Sequence, residues 1–261
     1  MKKIYVIGNN TSKSLSPVIF NYWFRKYKIK AKYEYIELNN SNFDKKIKEI
    51  KKDKDTIGIN ITIPFKQKII KHTDLLDRHA KQINAVNCLS FGTKTKGINT
   101  DWTGYFKTLP KKNNIKKMKV LLVGYGGAAL AIHYVLKHKG FKNINIINRT
   151  KKKLMFEKKT KYTISFNKLH EFLSNADLII NTTPINPINS FEKKFVKKET
   201  ILSDLVYKPK ETKFLKLFPN NKKIYGISML LEQAAPCFKL WFGFSPTVDK
   251  KLIKILENKI K

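Results

Sequence analysis

Lys119-Val-Leu-Leu-Val-Gly-Tyr-Gly-Gly-Ala-Ala129 is the stretch that decides the fold. Four apolar residues, Val120 to Val123, run straight into Gly124, Gly126 and Gly127. A helical spacing of apolar side chains then starts at Ala128 and continues through Ile132, Val135 and Leu136. Strand, glycine turn and helix in that order open a dinucleotide-binding unit. Gly124 permits the tight turn, Gly126 lets the backbone approach a pyrophosphate, and the small Ala129 lets helix and strand pack closely. The N–H groups of the first helical turn, at the positive end of the helix dipole, would receive the phosphates. Glycine spacing alone fits a cofactor loop or a tight turn in some other α/β protein, so the rest of the chain must separate the two.

With 261 residues, the chain can form one large domain or two modest ones. Its formal net charge of +35 invites a nucleic-acid reading. Of 54 basic residues, however, only Arg25, Arg78 and Arg149 are arginine, and the other 51 are lysines scattered throughout. Arginine supplies the bidentate recognition of bases and phosphates, and here it is nearly missing. A chain rich in lysine, asparagine and isoleucine carries the composition of an AT-rich genome. Weak, salt-sensitive attraction to polyanions is expected, with no specific nucleic-acid partner. Cys88 and Cys237 have neither metal-site spacing nor a disulfide framework, which fits a reducing, cytoplasmic compartment and no metal. The opening Met1-Lys-Lys-Ile-Tyr-Val-Ile-Gly8 is too short for a signal peptide and reads as a first strand. No apolar run approaches the ~18 residues of a membrane span, so no membrane partner is expected.

After the first strand, Ser16-Pro17 reads as N-cap and first helical residue, with Ile19, Phe20, Trp23 and Phe24 facing inward. Residues 32–38 alternate as a strand and 43–50 form a lysine-rich helix. In Thr56-Ile-Gly-Ile-Asn-Ile-Thr-Ile-Pro-Phe-Lys66 the isoleucines alternate with small or polar residues. Strands of a parallel sheet are normally apolar on both faces, so Asn60 and Thr62 project polar groups toward something that needs them. Pro64 ends the strand and leaves Lys66 at its carboxyl end, where open α/β sheets bind ligands. Helical segments are expected around 68–76 and 77–82, then a strand at 85–90 and another leading to Gly97-Ile-Asn-Thr-Asp101. The glycine turn comes only after this layer, so a domain boundary is placed near Asp101 and Trp102.

Beyond it, Asn143 to Ile147 read as a strand ending in Asn148-Arg-Thr150. Arg149 lies 25 residues past Gly124 (149 minus 124), where an NAD enzyme would carry an acid for the ribose diol. Arg149 with Lys151 to Lys153 suits the 2′-phosphate of NADP instead. Asp177 to Pro184, Ile201 to Tyr207 and Lys223 to Tyr225 read as further strands, the first ending in polar residues. A helix is expected from Ser228 to Trp241, and a final one with Ser245 as cap, Pro246 first and Val248, Leu252, Ile255 and Leu256 as its stripe.

Nine blocks then fall in order: Ser14-Leu-Ser-Pro17, Asn60-Ile-Thr-Ile-Pro-Phe-Lys66, Ala85-Val-Asn87, Asn99-Thr-Asp101, Gly124-x-Gly-Gly-Ala128, Asn148-Arg-Thr150, Asn181-Thr-Thr-Pro184, Asp204-Leu-Val-Tyr207 and Gly226-Ile-Ser-Met-Leu230 leading to Gln233. Together they make the whole chain resemble the NADP-dependent shikimate dehydrogenase family. That resemblance implies an α/β protein of two domains. One is an N-terminal α/β substrate domain with a mostly parallel sheet, 1–101 plus 228–261, completed by C-terminal helices packing back on it. The other is a Rossmann-type NADP-binding domain, 102–227. It implies reversible reduction of 3-dehydroshikimate to shikimate by NADPH.

By the same resemblance, Lys66 and Asp101 are the catalytic pair, and Ser14 and Ser16 hold the substrate carboxylate. Thr62, Asn87, Tyr207 and Gln233 bind substrate, mainly through the ring hydroxyls and carboxylate. Gly124, Gly126, Gly127, Ala128, Asn148, Arg149, Thr150, Lys153, Thr182, Gly226 and Met229 are the cofactor-binding residues. Whether the free amine of Lys66 or a proton shared within the pair acts is open at this level. Asn60 and Asn181 are expected to hold loops, and the five histidines form no ligand spacing. Lys13, Trp102, Ala129 and Asn186 depart from the family pattern without removing a group that the chemistry needs. A quinate/shikimate-type enzyme of the same fold is the near alternative, and a basic nucleic-acid-binding protein the distant one. Monomer and homodimer are both left open.

Overall fold

The computed structural model describes residues 1–111 and 114–260. The chain divides into two compact units, Met1–Asp101 with Leu230–Leu256, and Trp102–Met229 with Glu257–Lys261.

The first unit is built from β1 (Lys2–Gly8), α1 (Ser16–Lys26), β2 (Ala31–Glu37), α2 (Phe43–Lys52), β3 (Thr56–Ile61), β4 (Leu75–Leu76), α3 (Arg78–Ile83), β5 (Cys88–Ser90) and β6 (Lys96–Ile98). Its six-stranded sheet has the order β2-β1-β3-β5-β6-β4. β1 pairs parallel with β2 and β3, and β4 with β6, whereas β5 runs antiparallel to both its neighbours. The isoleucines of β1 and β3 bury one face with Leu38, Phe43, Ile47 and Ile50 of the α2 region, and Phe43 stacks on Phe65 at 4.2 Å between ring centroids.

The second unit continues with α4 (Asp101–Thr108), whose first residue closes the first unit, then β7 (Lys119–Val123), α5 (Gly127–His138), β8 (Asn143–Asn148), β9 (Ile164–Ser165), α6 (Leu169–Leu173), β10 (Leu178–Asn181), β11 (Ile201–Asp204), α7 (Lys213–Lys216) and β12 (Lys223–Tyr225). Its sheet is all parallel in the order β12-β11-β10-β7-β8-β9. Counted from β7, that is 6-5-4-1-2-3, the strand order of a doubly wound dinucleotide-binding sheet. The central strands β7 and β10 are covered on both faces, which is why Val120–Val123 and Leu178–Ile180 are apolar without alternation and almost wholly buried.

The last two helices are α8 (Gly226–Phe242), continuous through Pro236, and α9 (Lys250–Lys259). Phe238 and Trp241 of α8 join Phe20, Trp23 and Tyr33 in an aromatic cluster of the first unit, with ring centroids 4.4–6.5 Å apart. At the far end Lys210 N–H donates to Ile260 O at 2.8 Å within the second unit.

Three local expectations change. Ser16 is the first helical residue of α1 rather than its cap. Leu15 takes the cap position, and the Ser14 hydroxyl accepts the Ser16 N–H at 3.2 Å. The last helix starts at Lys250, not at Ser245-Pro246, because Asp249 supplies the cap by accepting Leu252 N–H at 2.9 Å. Asp249 is fixed there by Tyr22 Oη at 2.8 Å and Lys26 Nζ at 2.6 Å, while Thr247 O takes Trp23 Nε1–H, so 245–249 serves as a strap on α1 and Val248 is exposed. The segment 68–76 is a short 3-10 turn (Lys68–His72) followed by β4, not one helix.

Candidate active site

In the first unit the polar residues gather at one edge of the sheet for a topological reason. β1, β3 and β6 all run the same way, so their carboxyl ends, leading to Ser14 and Ser16, to Thr62 and Lys66, and to Asp101, share that edge. β5 is reversed, so the residue at that edge is the one before it, Asn87. Asn9 N–H donates to Ile63 O at 2.9 Å and ties the loops after β1 and β3 together. Gln233 comes from α8.

Lys66 Nζ donates to Asp101 Oδ2 at 2.6 Å, and the two side chains are only 10% and 6% exposed. Asn87 Nδ2 donates to Asp101 Oδ1 and to Thr100 Oγ1, both at 2.9 Å, while its Oδ1 accepts Thr100 N–H at 2.7 Å. Gln233 Oε1 lies 3.3 Å from Asn87 Nδ2 and 3.4 Å from Thr100 Oγ1, and its Nε2 donates to Leu230 O at 2.9 Å. Asn99 Oδ1 accepts Asp101 N–H at 3.0 Å and its Nδ2 donates to Ala85 O at 2.9 Å, so the residue that starts α4 is held from both sides. An ammonium and a carboxylate kept from water in this way can hold a proton, position it and pass it to a bound oxygen.

Asn60 is a holding residue. Its Oδ1 accepts Tyr33 Oη–H at 2.7 Å and its Nδ2 donates to Asn87 O at 3.0 Å. Thr100 and Cys237, 3.3 Å apart, complete this buried layer, and neither is given a role by sequence motifs. Tyr33 lies outside every block, and Cys237, one helical turn past Gln233, belongs to none, so neither carried a signal. Thr100, flanked by Asn99 and Asp101, could have been found from its place between two polar strand-end residues.

The second unit presents the carboxyl ends of five parallel strands together: Gly124–Ala128 after β7, Asn148–Thr150 at the end of β8, Thr182 after β10, Tyr207 after β11 and Gly226 after β12. Gly124 has φ +95°, and a Cβ there would stand 2.4 Å from Thr182 Oγ1. Thr182 Oγ1 donates to Val123 O at 2.7 Å, clamping β10 to the glycine turn at the point where the strand order reverses. Gly126 is extended, exposed, and has open space where a Cβ would be. Asn148 Oδ1 accepts Tyr125 N–H at 3.1 Å, and Arg149 and Lys151 to Lys153 are exposed beside it. An unobstructed glycine at a helix N-terminus, with an exposed cationic run at the neighbouring strand end, fits a phosphorylated dinucleotide.

Asn181 bridges Thr183, Ile185 and Asp204, as expected of a loop holder. Asp204 accepts Thr212 Oγ1–H at 2.7 Å and Val206 N–H at 3.1 Å, and burial pushes its carboxyl above the ordinary range. It fixes the turn that carries Tyr207. A Cβ on Gly226 would meet Leu205 O at 2.4 Å, so that glycine allows α8 to start against β11. Met229 is buried in the first turn of α8.

Beneath the glycine turn lies His133, which is completely buried. Burial pushes its imidazole down to about 4, against the upward pull of Glu157 and with Lys137 pushing the same way as burial. Its unfolded counterpart titrates near ~6.5. Because the folded value is the lower one, the stability that comes from keeping the ring neutral is complete above about pH 6.5 and declines as pH falls toward 4. His133→Leu lacks this proton, so the melting temperature of wild type relative to the variant should drop across that window. A gap independent of pH between 7 and 4 would contradict the assignment.

The described residues contain no helix long and apolar enough to cross a membrane. Residues 6–89 match the family model "Shikimate dehydrogenase substrate binding domain", and residues 108–203 match "Shikimate / quinate 5-dehydrogenase". A protein of Pelagibacter ubique named Shikimate dehydrogenase (NADP(+)) is 38% identical over 270 residues, covering 98% of this chain and 100% of that protein. The crystal structure of shikimate dehydrogenase from Aquifex aeolicus superposes with a TM-score of 0.83 at 30% identity, covering 100% of this chain and 98% of the other. A shikimate dehydrogenase solved in complex with NADP+ gives a TM-score of 0.81 at 28% identity, covering 100% and 94%.

Proposed function

The chain belongs to the shikimate dehydrogenase family, and from that membership we propose that it catalyses the reversible NADPH-dependent reduction of 3-dehydroshikimate to shikimate, on the route to chorismate and the aromatic amino acids. The observation that carries the reading is the buried Lys66–Asp101 pair at 2.6 Å, wired to Asn87.

NADPH, when bound, supplies the hydride. Lys66 gives a proton to the substrate oxygen that changes from carbonyl to hydroxyl, and takes it back in the reverse direction. One of its three ammonium hydrogens is held by Asp101, which leaves two for substrate. Asp101 orients Lys66 and accepts from a ring hydroxyl. Asn87 spends both amide hydrogens on Asp101 and Thr100, so it contributes to substrate binding through the remaining lone pair of Oδ1. Gln233 offers its second Nε2 hydrogen. The Ser14 hydroxyl, which already accepts from Ser16 N–H, turns its own proton toward the substrate carboxylate, with Ser16 beside it at the start of α1. Thr62 and Tyr207 complete the set of ring-hydroxyl partners. Gly124, Gly126, Gly127 and Ala128 take the pyrophosphate, Asn148, Arg149, Thr150 and Lys153 the adenosine end, and Thr182, Gly226 and Met229 the nicotinamide end. Two buried free thiols, Cys88 and Cys237, suit a cytoplasmic enzyme, and the site is compatible with a monomer or a homodimer.

The test is an absorbance assay at the nicotinamide band. Turnover with shikimate and NADP well above that with quinate and NAD is expected, and the reverse preference would move the chain to a quinate-type activity. Arg149→Ala should lower kcat/KM for NADP by about 10–100-fold, the worth of a charged hydrogen bond, while changing that for NAD little. Equal losses with both cofactors would remove Arg149 from the 2′-phosphate site.

A further inference from the structure

Tyr125 fills the variable position of Gly124-Tyr-Gly-Gly127, and its side chain is buried under the turn rather than facing solvent. Its phenol oxygen accepts Met155 N–H at 3.1 Å and lies 3.0 Å from His133 Nδ1. Its backbone N–H donates to Asn148 Oδ1 at 3.1 Å, and its carbonyl accepts Lys152 Nζ at 3.2 Å. One residue thus joins the glycine turn, α5 and the segment that follows β8.

That segment is a hairpin closed on itself. Leu154 N–H donates to Lys161 O and Thr163 N–H to Lys152 O, both at 2.8 Å. It carries the exposed cations Lys151 to Lys153, next to Arg149. Its ties to the glycine turn itself run through the phenol and the carbonyl of Tyr125. The phenol keeps its own proton for a second partner, and His133 Nδ1 at 3.0 Å is in reach of it; in the tautomer where Nδ1 accepts, the neutral imidazole carries its proton on Nε2. His133 Nε2 is the buried side-chain atom left without a hydrogen-bond partner among the described residues, with Glu157 Oε1 3.4 Å away. An unsatisfied buried donor is costly. Among the described residues, the fold tolerates it where the other ring nitrogen meets the phenol.

We propose that Tyr125, seated by His133, is a positioning residue for cofactor choice: it fixes the distance between the pyrophosphate turn and the cationic hairpin, and so favours a dinucleotide with a 2′-phosphate. This rests on the NADP reading above. The roles divide cleanly, with Arg149 and the lysines supplying charge and Tyr125 supplying their placement.

The test is calorimetric titration of the whole protein with 2′,5′-ADP and with 5′-AMP, which needs no turnover. Wild type is expected to prefer 2′,5′-ADP. Tyr125→Phe keeps the ring and loses the two phenol bonds, so the preference should shrink by about 3–10-fold with 5′-AMP affinity unchanged. His133→Leu should copy it. His133→Asn, whose Oδ1 can take the phenol proton in place of Nδ1, should retain the wild-type preference. A wild type that binds both fragments alike overturns the NADP reading and this inference with it. A preference that survives in Tyr125→Phe, or a loss shared equally by both fragments, overturns the positioning role alone.

Discussion

Lys66→Met is expected to lower kcat by about 10²–10⁴-fold while the affinity for shikimate, measured by titration, changes only a few-fold. Methionine keeps most of the stem volume of lysine but removes the proton carrier. Asp101→Asn should cost a comparable share of turnover, because an amide holds the ammonium less well and offers a hydrogen where Lys66 needs an acceptor. The two act as a unit through a 2.6 Å bond, so Lys66→Met/Asp101→Asn should be little slower than the worse single variant. Stability gives an independent reading of the same pair. Each single change strands a nearly buried charge, at a cost of about 3–5 kcal/mol, and the double variant removes both charges. Its melting temperature should therefore recover above that of Lys66→Met. If shikimate affinity fell as far as kcat, Lys66 would be a binding residue and the proton would have to come from elsewhere.

The parts of this site that can be seen in sequence are those set by local chemistry. A polar residue within an apolar β-run has few explanations other than a partner at the strand end, which is why Asn60, Thr62, Asn181 and Asp204 stand out. Gly124 stands out because few residues other than glycine accept φ +95°. Strand direction has no such local mark. Cys88–Ser90 has the same apolar character in either sense, so its reversal, which brings Asn87 to the reactive edge, emerges only from pairing with β3 and β6. Cap signals are local but can be outcompeted. Ser245-Pro246 is a good helix start on its own, yet Asp249, held by Tyr22 and Lys26, captures the cap. The Tyr125–His133 contact was invisible for a third reason. A tyrosine in a turn and a histidine on an apolar helix are each unremarked alone, and their meaning lies in a 3.0 Å approach that no spacing encodes.

Gly124→Ala and Gly126→Ala are expected to separate folding from cofactor binding at the turn itself. At Gly124 the backbone has φ +95°, where a Cβ costs about 1–3 kcal/mol in strain before any contact is counted. The new methyl would also stand 2.4 Å from Thr182 Oγ1 and 2.9 Å from Thr183 Cγ2. Thr182 cannot rotate away without giving up its 2.7 Å bond to Val123 O, so β7 and β10 must part. Gly124→Ala should therefore lose thermal stability and NADP binding together. Gly126 has φ −98° and ψ −171°, a conformation open to any residue, and its Cβ would touch nothing within 4 Å. Alanine there should leave the melting temperature unchanged. Its methyl would stand over the first turn of α5, where the pyrophosphate must approach the N–H groups, so NADP affinity should fall by about tenfold or more. The comparison needs only a melting curve and a titration for each variant. A Gly126→Ala protein that melts like wild type and binds NADP like wild type would take the glycine turn out of the cofactor site.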